Sequence, residues 1–425
     1  MNLIEKDKAY IWHPFTQMKT AGDPILIKSG KGALLFDDAG NEYIDAISSW
    51  WVSVHGHANP YIAKKISEQL STLEHVIFAG FTHEPAIELA ERLLSYLPHQ
   101  SKVFFSDNGS TAVEVALKMC LQYFFNQAMP KDTIIALENA YHGDTFGAMS
   151  AGGDDGFNNP FKEKMFQVER IPTPTNANRE QSVAALKKII AEQNVCCFIF
   201  EPLIQGAGGM LMYEPEALDE LIAICRENQV LCIADEVMTG FYRTGKMFAS
   251  NYLQNKPDLT CLSKGLTGGT LPMSITCCTE EIYQAFLSED KMKTFFHGHS
   301  FTGNPIGCAA ALANLDLFEK QETLDHVQRI MDTHSQFRKK IEGHPRARNI
   351  RQTGTILAIE FQTGSDTSYF NNIRDQLYDY FLEQGILLRP LGNVIYMMPP
   401  YCMTDQQLEK VYACIYEALE SGQFN

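Results

Sequence analysis

The chain has 425 residues, of which 45% are hydrophobic and 20% are charged. This length and composition exclude a disordered chain and predict a soluble protein of more than one domain. The net charge of -16 argues against nucleic acid or an anionic membrane as the partner, because clustered lysine and arginine bind both.

The sequence has neither the pattern of a signal peptide or membrane span nor a cysteine pattern typical of disulfides or metal sites. Residues 1–10 lack the apolar core of a signal peptide, and no run of about 18 apolar residues could span a bilayer. The eleven cysteines include two adjacent pairs in apolar runs, Cys196-Cys197 and Cys277-Cys278, as expected for reduced buried thiols. No Cys-x-x-Cys spacing indicates a metal site. We therefore expect a cytoplasmic protein without a metal.

Residues 1–48 predict a loop followed by a small antiparallel meander. In the meander, the runs Ala33–Phe36 and Glu42–Asp45 flank the turn Asp37–Gly40. Ser48–Trp51 then contains two of the three tryptophans. One of this tandem pair is expected in the core, and the pair also suits the wall of a pocket.

A short strand at Val103–Phe105 leads into a helix that begins at Gly109. The first turn of this helix contains Ser110 and Thr111. Free backbone N–H groups, two hydroxyls and the positive end of the helix dipole together favour a bound phosphate. Simple capping of the helix by these hydroxyls is the alternative, and the segment alone does not decide between the two.

The middle of the chain contains apolar runs that end at polar or small side chains. They are Thr133–Leu137, Val195–Phe200, Val230–Ala234, Leu259–Leu262 and Ser274–Cys278. The runs lack strict alternation and several are separated by helical segments, a pattern typical of a parallel sheet buried on both faces. The predicted fold class is therefore α/β, with function at the carboxyl ends of the strands.

Residues beyond 320 alternate helices with short strands, which predicts a smaller α+β domain. One of its helices is expected at 369–384. The predicted division is residues 1–48 as the N-terminal part of the small domain, 49–320 as the large domain that binds a cofactor, and 321–425 as the C-terminal part of the small domain.

Side chains at these strand and helix ends match what pyridoxal 5'-phosphate requires. Lys264 supplies an amine for the aldehyde, once desolvation lowers its pKa from the ordinary ~10.4. Asp235 supplies a buried carboxylate that keeps the pyridine nitrogen protonated. Tyr141 offers a ring for stacking, and Gly109–Thr111 would hold the phosphate. Each feature alone has a bland explanation, a solvated loop lysine for example, but their joint occurrence predicts this cofactor.

The order of five motifs resembles the class III aminotransferases. The motifs are Gly109–Glu114, Tyr141–Thr145, Glu201-Pro202, Asp235–Gly245 and Ser263–Gly265. The resemblance covers nearly the whole chain and implies a fold-type I pyridoxal phosphate enzyme. Its large domain would contain a mostly parallel seven-stranded sheet, its small domain would use both termini, and a homodimer would carry active sites at the subunit interface.

Further stretches resemble the class III members of biotin biosynthesis. They are Trp12–Met18, Ser48–Trp51, Tyr141–Met149, Gln205–Gly209, and Arg389-Pro390 with Tyr396–Tyr401. The resemblance implies transamination of 8-amino-7-oxononanoate to 7,8-diaminononanoate, with S-adenosyl-L-methionine as the amino donor. Lysine as the donor, or a different ω-amino acid and 2-oxo acid pair, are the alternatives.

The same resemblance implies further site residues. Trp50 would line the substrate pocket, and Arg389 would pair with the carboxylate of the oxo acid, which suits a planar guanidinium. Ser300 would reach the phosphate in the neighbouring subunit. The rest of the substrate pocket is expected from Phe15, Arg243, Gly298 and Tyr396.

Two positions depart from the pattern of the adenosylmethionine users. Phe15 stands where those enzymes commonly carry a tyrosine, and His299 stands within Gly-His-Ser where they usually show Gly-Pro-Thr. Both departures leave the donor open between adenosylmethionine and lysine.

Two other functions are weighed against the biotin-pathway reaction. Aminotransferases of ornithine or 4-aminobutyrate typically carry a carboxylate where Gln205–Met210 has none, which favours 8-amino-7-oxononanoate. A non-catalytic pyridoxal phosphate protein or scaffold on this fold would not need Lys264, Asp235 and Tyr141 together.

Overall fold

The computed structural model describes residues 1–153, 156–363, 367, 371 and 373–424. The α-helices of this part, in chain order, are α1 (Leu3–Tyr10), α2 (Ser48–Trp51), α3 (Pro60–Leu70), α4 (Glu84–Tyr96), α5 (Gly109–Asn126), α6 (Phe146–Ala151), α7 (Arg179–Glu192), α8 (Pro215–Glu227), α9 (Glu280–Gln284), α10 (Pro305–Phe318), α11 (Gln321–Ile341), α12 (Ile373–Glu383) and α13 (Asp405–Ser421). Short 3-10 helices lie at Asn159–Lys164, Ala249–Tyr252, Lys264–Thr267 and Lys291–Lys293.

Strands make up the rest of the regular structure. They are β1 (Ile27–Lys31), β2 (Leu34–Asp37), β3 (Glu42–Asp45), β4 (Lys102–Ser106), β5 (Thr133–Leu137), β6 (Glu169–Ile171), β7 (Val195–Phe200), β8 (Ile204–Gln205), β9 (Leu211–Met212), β10 (Leu231–Asp235), β11 (Leu259–Leu262), β12 (Ser274–Cys278), β13 (Ala347–Thr353), β14 (Ile356–Phe361), β15 (Ile386–Leu387) and β16 (Val394–Met397).

A seven-stranded sheet with the order β4-β12-β11-β10-β7-β5-β6 forms the centre of the protein. Only β12 pairs antiparallel with its neighbours in this sheet, so the other six strands run in one direction. Every residue of β7, β10, β11 and β12 is buried. Burial of both faces explains why these strands read as continuous apolar runs, and it confirms the predicted α/β sheet.

The register of the central strands brings their carboxyl ends together. Ala234 of β10 lies beside Phe200 of β7 and Thr260 of β11. The residues that follow these positions are therefore neighbours at one edge of the sheet. Function is expected at this edge in an open α/β sheet.

Residues from both ends of the chain pair in a second sheet, with the order β1-β2-β3-β15. Its first three strands are the predicted antiparallel meander, and β15 adds to β3 in parallel, with Ile386 opposite Ile44. A further sheet, β13-β14-β16, is antiparallel and lies in the C-terminal part.

The prediction of a loop at the start of the chain is wrong, because Leu3–Tyr10 is a helix. Asn2 caps it by accepting a hydrogen bond from the N–H of Glu5. None of its residues is buried, so the sequence lacks the apolar stripe by which a packed helix is recognised. The helix expected at 369–384 is observed as Ile373–Glu383, and residues 369, 370 and 372 of that range lie outside the described residues.

All eleven cysteines are free, and ten of them are buried. Burial in apolar surroundings makes such thiols behave as small hydrophobic side chains. Within the described ranges, none of the helices combines the length and the apolar character needed to cross a bilayer.

Candidate active site

A cavity of about 670 Å³ lies at the carboxyl ends of the central strands. It brings together five of the residues predicted from the sequence, namely Gly109, Ser110, Tyr141, Asp235 and Lys264. Thr111, Trp50 and the other predicted residues do not line it. The predicted cofactor residues and the predicted substrate residues thus occupy adjacent but separate places.

Lys264 follows β11 and begins the 3-10 helix Lys264–Thr267, with a φ of 45° in the left-handed region. Its Nζ lies 4.4 Å from the centre of the Trp51 ring. No hydrogen bond or ion pair to a described residue engages this amine. Burial lowers the pKa of Lys264 from 10.5 to about 8, and the charges of Asp235 and Glu201 oppose the decrease.

The loop that carries Lys264 is fixed by buried side chains. Asn314 of α10 donates hydrogen bonds from Nδ2 to the carbonyl oxygens of Gly265 at 2.8 Å and Leu266 at 3.0 Å. Ser263 donates to the carbonyl oxygen of Met273 at 2.8 Å. These contacts hold a strained lysine backbone in place, which a loop free in solvent would not maintain.

Asp235 ends β10 and is only 4% exposed. Its Oδ2 lies 2.7 Å from Nδ1 of His142, and its Oδ1 accepts a hydrogen bond from the N–H of Val237 at 3.1 Å. Nε2 of His142 is buried without a hydrogen-bond partner in the described structure. The carboxylate is therefore oriented from behind by an imidazole while it lines the cavity.

Glu201 is a second buried carboxyl group of the cavity, and no role was predicted for it beyond its place in the Glu201-Pro202 motif. Its two oxygens accept hydrogen bonds from the N–H groups of Tyr141 and Gly206, each at 3.0 Å. Burial raises its pKa to about 7, the charge of Asp235 adds to the increase, and His142 opposes it. The available signal was its position directly after β7, which matches the position of Asp235 on β10.

Tyr141 and Ser110 are joined through Asp144. The hydroxyl of Tyr141 donates to Oδ1 of Asp144 at 2.9 Å, and the N–H of Asp144 donates to Oγ of Ser110 at 3.1 Å. Thr111 instead completes the capping box of α5, whose N-cap is Asn108: the hydroxyl of Thr111 donates to Asp107 at 2.7 Å and its N–H donates to Asn108 at 3.1 Å. The phosphate-binding role of Thr111 stays a prediction.

Two glycines keep the space at the start of α5 open. A Cβ on Gly143, which has a φ of 127°, would lie 2.0 Å from Oγ of Ser110. A Cβ on Gly109 would lie 2.7 Å from Cγ1 of Val237. The first turn of a helix has N–H groups without intrahelical partners, so this glycine-lined space suits an anion.

A cluster of three aromatic side chains and one arginine lies outside the cavity. We call it the Trp50 cluster, and it consists of Trp50, Phe15, Phe157 and Arg389. Cζ of Arg389 lies 4.8 Å from the Trp50 ring centre, and Phe15 contacts Trp50 edge-on at 5.6 Å. Phe157 lies 6.2 Å from Phe15. Arg389 forms no ion pair within the described part of the chain, so its guanidinium is available to an external carboxylate.

Tyr396 and Arg243 lie behind Trp51 and do not line the cavity. Oη of Tyr396 accepts a hydrogen bond from Nε1 of Trp51 at 2.9 Å. Arg243 is 1% exposed and donates to the carbonyl oxygens of Pro399 at 2.8 Å and Trp51 at 3.5 Å. Burial lowers the pKa of Arg243. Of the tandem pair, it is Trp51, buried as expected for one of the two, that lines the cavity.

Gly298 and Ser300 are exposed and do not line the cavity of their own subunit. They lie between two exposed aromatic side chains, Phe296 at 68% and Phe301 at 65%. A role of Ser300 at a phosphate therefore requires the cavity of a different subunit.

The cavity residues fit pyridoxal phosphate. The amine of Lys264 has no hydrogen-bond or ion-pair partner among the described residues, and it lines the same cavity as the buried carboxylate of Asp235 and the glycine-lined start of α5. These groups match an aldehyde, a pyridine nitrogen and a phosphate respectively.

Comparison with known proteins gives one consistent result. Residues 17–419 match the family Aminotransferase class-III. The adenosylmethionine-8-amino-7-oxononanoate aminotransferase of Synechococcus elongatus is 49% identical, over 97% of this chain and 98% of that protein. The protein of the same name from Helicobacter pylori is 39% identical, over 99% of this chain and 98% of that protein.

Solved structures agree in fold. The adenosylmethionine-8-amino-7-oxononanoate aminotransferase of Methanocaldococcus jannaschii is 36% identical and superposes with a TM-score of 0.94, over 99% of both chains. An omega transaminase from Pseudomonas jessenii in complex with PMP is 28% identical with a TM-score of 0.92, over 99% of this chain and 98% of that one. The chain therefore belongs to the class III aminotransferases, which are pyridoxal-phosphate-dependent enzymes.

Proposed function

We propose that the protein transfers an amino group to 8-amino-7-oxononanoate, forming 7,8-diaminononanoate in biotin biosynthesis. The observation that carries this proposal is the guanidinium of Arg389, which packs on Trp50 and has no ion-pair partner among the described residues. An oxo acid with a terminal carboxylate supplies that partner. The names of relatives up to 49% identical support the same substrate.

We propose the following roles for the cavity residues. Bound pyridoxal phosphate supplies an aldehyde and an electron-withdrawing ring. Lys264 would hold the cofactor through its amine, which can condense with an aldehyde and release water, and the free Nζ would take up and release a proton. A lysine whose pKa is about 8 suits this work, because part of it is neutral near pH 7 and its proton is exchanged readily.

The remaining cavity residues orient the cofactor. The carboxylate of Asp235 would pair with the ring nitrogen and keep it protonated, and His142 fixes this carboxylate. Tyr141 would stack on the ring, and Glu201 fixes the backbone of Tyr141. Gly109–Thr111 would bind the phosphate through N–H groups and hydroxyls of the first turn of α5.

The substrate residues work by charge and shape. Arg389 binds the carboxylate of the oxo acid, and Trp50 together with Phe15 packs on its aliphatic chain. Arg243 and Tyr396 act on the pocket indirectly, through their hydrogen bonds to Trp51. Gly298 would complete the pocket wall in a neighbouring subunit.

Replacement of Arg389 tests the substrate assignment. Arg389→Met keeps the aliphatic part of the side chain and removes the guanidinium, so we expect the KM for 8-amino-7-oxononanoate to rise about 10- to 100-fold, the usual value of a charge-assisted hydrogen bond. The half-reaction with the amino donor should change less. Steady-state kinetics measure both.

The matched control is Arg179→Met, which removes an exposed arginine whose Nε lies 2.6 Å from Glu220. It should leave both half-reactions unchanged. An unaltered KM for the oxo acid in Arg389→Met would contradict the proposed substrate site.

Lysine as the amino donor is a second candidate, and Phe15 favours it. The ring of Phe15 contacts Trp50 and Phe157, so this edge of the Trp50 cluster presents no hydroxyl where adenosylmethionine users commonly have one. Three of the four proteins compared above, those that are 36% to 49% identical, carry adenosylmethionine in their names, which favours S-adenosyl-L-methionine. We propose S-adenosyl-L-methionine as the donor, with lysine as the alternative.

A donor screen separates the two. The cofactor-loaded protein is mixed with S-adenosyl-L-methionine or with lysine, and the change in cofactor absorbance is followed in a single turnover. We expect a faster change with S-adenosyl-L-methionine, and a further increase for that donor alone in Phe15→Tyr, which restores the hydroxyl. Phe166→Tyr is the control, because Phe166 has the same exposure of 45% and does not line the cavity. If the cofactor absorbance changes with lysine and not with S-adenosyl-L-methionine, lysine is the amino donor.

A different ω-amino acid substrate is disfavoured by the loop that follows β7. Gln205 is buried and bonds to the carbonyl oxygen of Glu138 at 2.7 Å and to the hydroxyl of Thr173 at 2.8 Å. No residue of Gln205–Met210 carries a carboxylate. The carboxylate that ornithine and 4-aminobutyrate aminotransferases typically carry in this segment is therefore missing from this chain.

We further propose a division into residues 1–48 and 321–425 as one small domain and 49–320 as the large domain, and a homodimer of two such chains. The pairing of β15 with β3 supports the first proposal. Exposed apolar side chains at Ile77, Phe81, Phe296 and Phe301 support the second, since a partner subunit would cover them.

Sedimentation equilibrium tests the homodimer. The expected mass is twice the 47.8 kDa of one chain. Ser300→Ala should weaken cofactor binding while leaving this mass unchanged, because Ser300 would contact the phosphate and not the core of the interface. A monomer with full activity would contradict the proposal.

A further inference from the structure

The two tryptophans of Ser48–Trp51 are presented by a strained turn. Ser48, Ser49 and Trp51 have φ values of 52°, 59° and 71°, and Ser49 has a ψ of -90°. Residues other than glycine rarely adopt such backbone angles, because their Cβ atom collides with the backbone. A turn of this kind persists only where its surroundings hold it in place.

Asp45 is the group that holds this turn. It ends β3, and its carboxylate is fully buried. Oδ1 accepts a hydrogen bond from the N–H of Ile47 at 3.2 Å, and Oδ2 accepts one from the N–H of Ser49 at 2.6 Å. Nε2 of His57 lies 2.8 Å from the same Oδ2. On the other side, the hydroxyl of Ser48 donates to the carbonyl oxygen of Met398 at 2.8 Å.

The two tryptophan rings of this turn lie against different parts of the site, one at the cavity and one in the Trp50 cluster. Trp51 lies 4.4 Å from Nζ of Lys264, and Trp50 lies 4.8 Å from Cζ of Arg389. The conformation of Ser49 therefore determines both the contact of Trp51 with the Lys264 amine and the contact of Trp50 with the Arg389 guanidinium. A carboxylate that holds Ser49 in place affects both contacts.

We propose that Asp45 is a positioning residue for this reaction: it stabilises the strained Ser48–Trp51 turn and thereby sets the placement of Trp51 against Lys264 and of Trp50 against Arg389. Asp45 does not line the cavity, so it acts through the turn. The inference rests on the proposed function for the roles of Lys264 and Arg389.

The test uses Asp45→Asn, which keeps the shape of the side chain and replaces one acceptor oxygen with an N–H donor. In a protein carrying Trp12→Phe and Trp50→Phe, Trp51 is the sole tryptophan, since the chain has three. Trp51 is 6% exposed, so acrylamide quenches its fluorescence weakly. We expect Asp45→Asn to raise this quenching, because the released turn exposes the ring.

The kinetic readout uses the protein with all three tryptophans. Asp45→Asn should raise the KM for 8-amino-7-oxononanoate about 10- to 100-fold, the usual effect of losing a supporting contact behind a binding residue, with a smaller change in kcat. Adding Ser49→Gly to Asp45→Asn should restore both quenching and KM, because glycine adopts a positive φ without strain.

Asp37→Asn is the matched control. Asp37 is also buried and accepts hydrogen bonds from the N–H groups of Ala39 at 3.0 Å and Asn41 at 2.7 Å, but it organises the β2–β3 hairpin and not the tryptophan turn. It should alter neither readout. His57→Gln, which removes the imidazole partner of Asp45, should shift both in the same direction and serves if Asp45→Asn does not fold.

Wild-type quenching and KM in both Asp45→Asn and His57→Gln would overturn the proposal, as would equal changes in Asp37→Asn or no recovery with Ser49→Gly. The fluorescence measurement needs neither substrate nor turnover. If the wild-type protein does not aminate 8-amino-7-oxononanoate, the proposed function fails, while the quenching of Trp51 still decides the role of Asp45.

Discussion

The amine of Lys264 lies in a cavity whose burial favours its neutral form, beside two carboxylates whose charges favour its protonated form. The balance lowers its pKa to about 8. With burial alone, the amine would hold a proton too weakly to transfer one, and with solvent alone it would be almost wholly protonated at neutral pH. Because both influences are present, the same atom is suited to bind a carbonyl carbon and to move a proton.

This arrangement depends on the parallel sheet. Glu201 directly follows β7 and Asp235 is the last residue of the neighbouring strand β10, and the register of these strands brings the two carboxyl groups close enough to affect each other. Burial and the charge of Asp235 raise the pKa of Glu201 to about 7, and His142 opposes the increase. His142 lies against Asp235, with its Nδ1 2.7 Å from Oδ2.

The central strands were predictable because burial on both faces requires a continuous apolar run, and Val195–Phe200 and Leu259–Leu262 have the predicted bounds. The helix Leu3–Tyr10 was not predictable, since none of its residues is buried and it therefore has no apolar stripe. Lys264 and Asp235 could be found as polar residues at strand ends. The positions of Trp51 and Arg243 in the site could not be predicted in this way. Arg243 donates a 3.5 Å hydrogen bond to the carbonyl oxygen of Trp51, and a contact between residues nearly 200 positions apart leaves no local pattern in the sequence.

Capture of pyridoxal phosphate by the cofactor-free chain measures the reactivity of the Lys264 amine. Borohydride traps the covalent bond at different pH values, and mass spectrometry locates it. We expect a bond at Lys264 that forms with a midpoint near pH 8, since only the neutral amine reacts. The midpoint should be lower in Glu201→Gln, which removes a charge that favours the protonated amine. Trapping at another lysine, or a midpoint at the ordinary value of ~10.4, would show that Lys264 is not the activated amine.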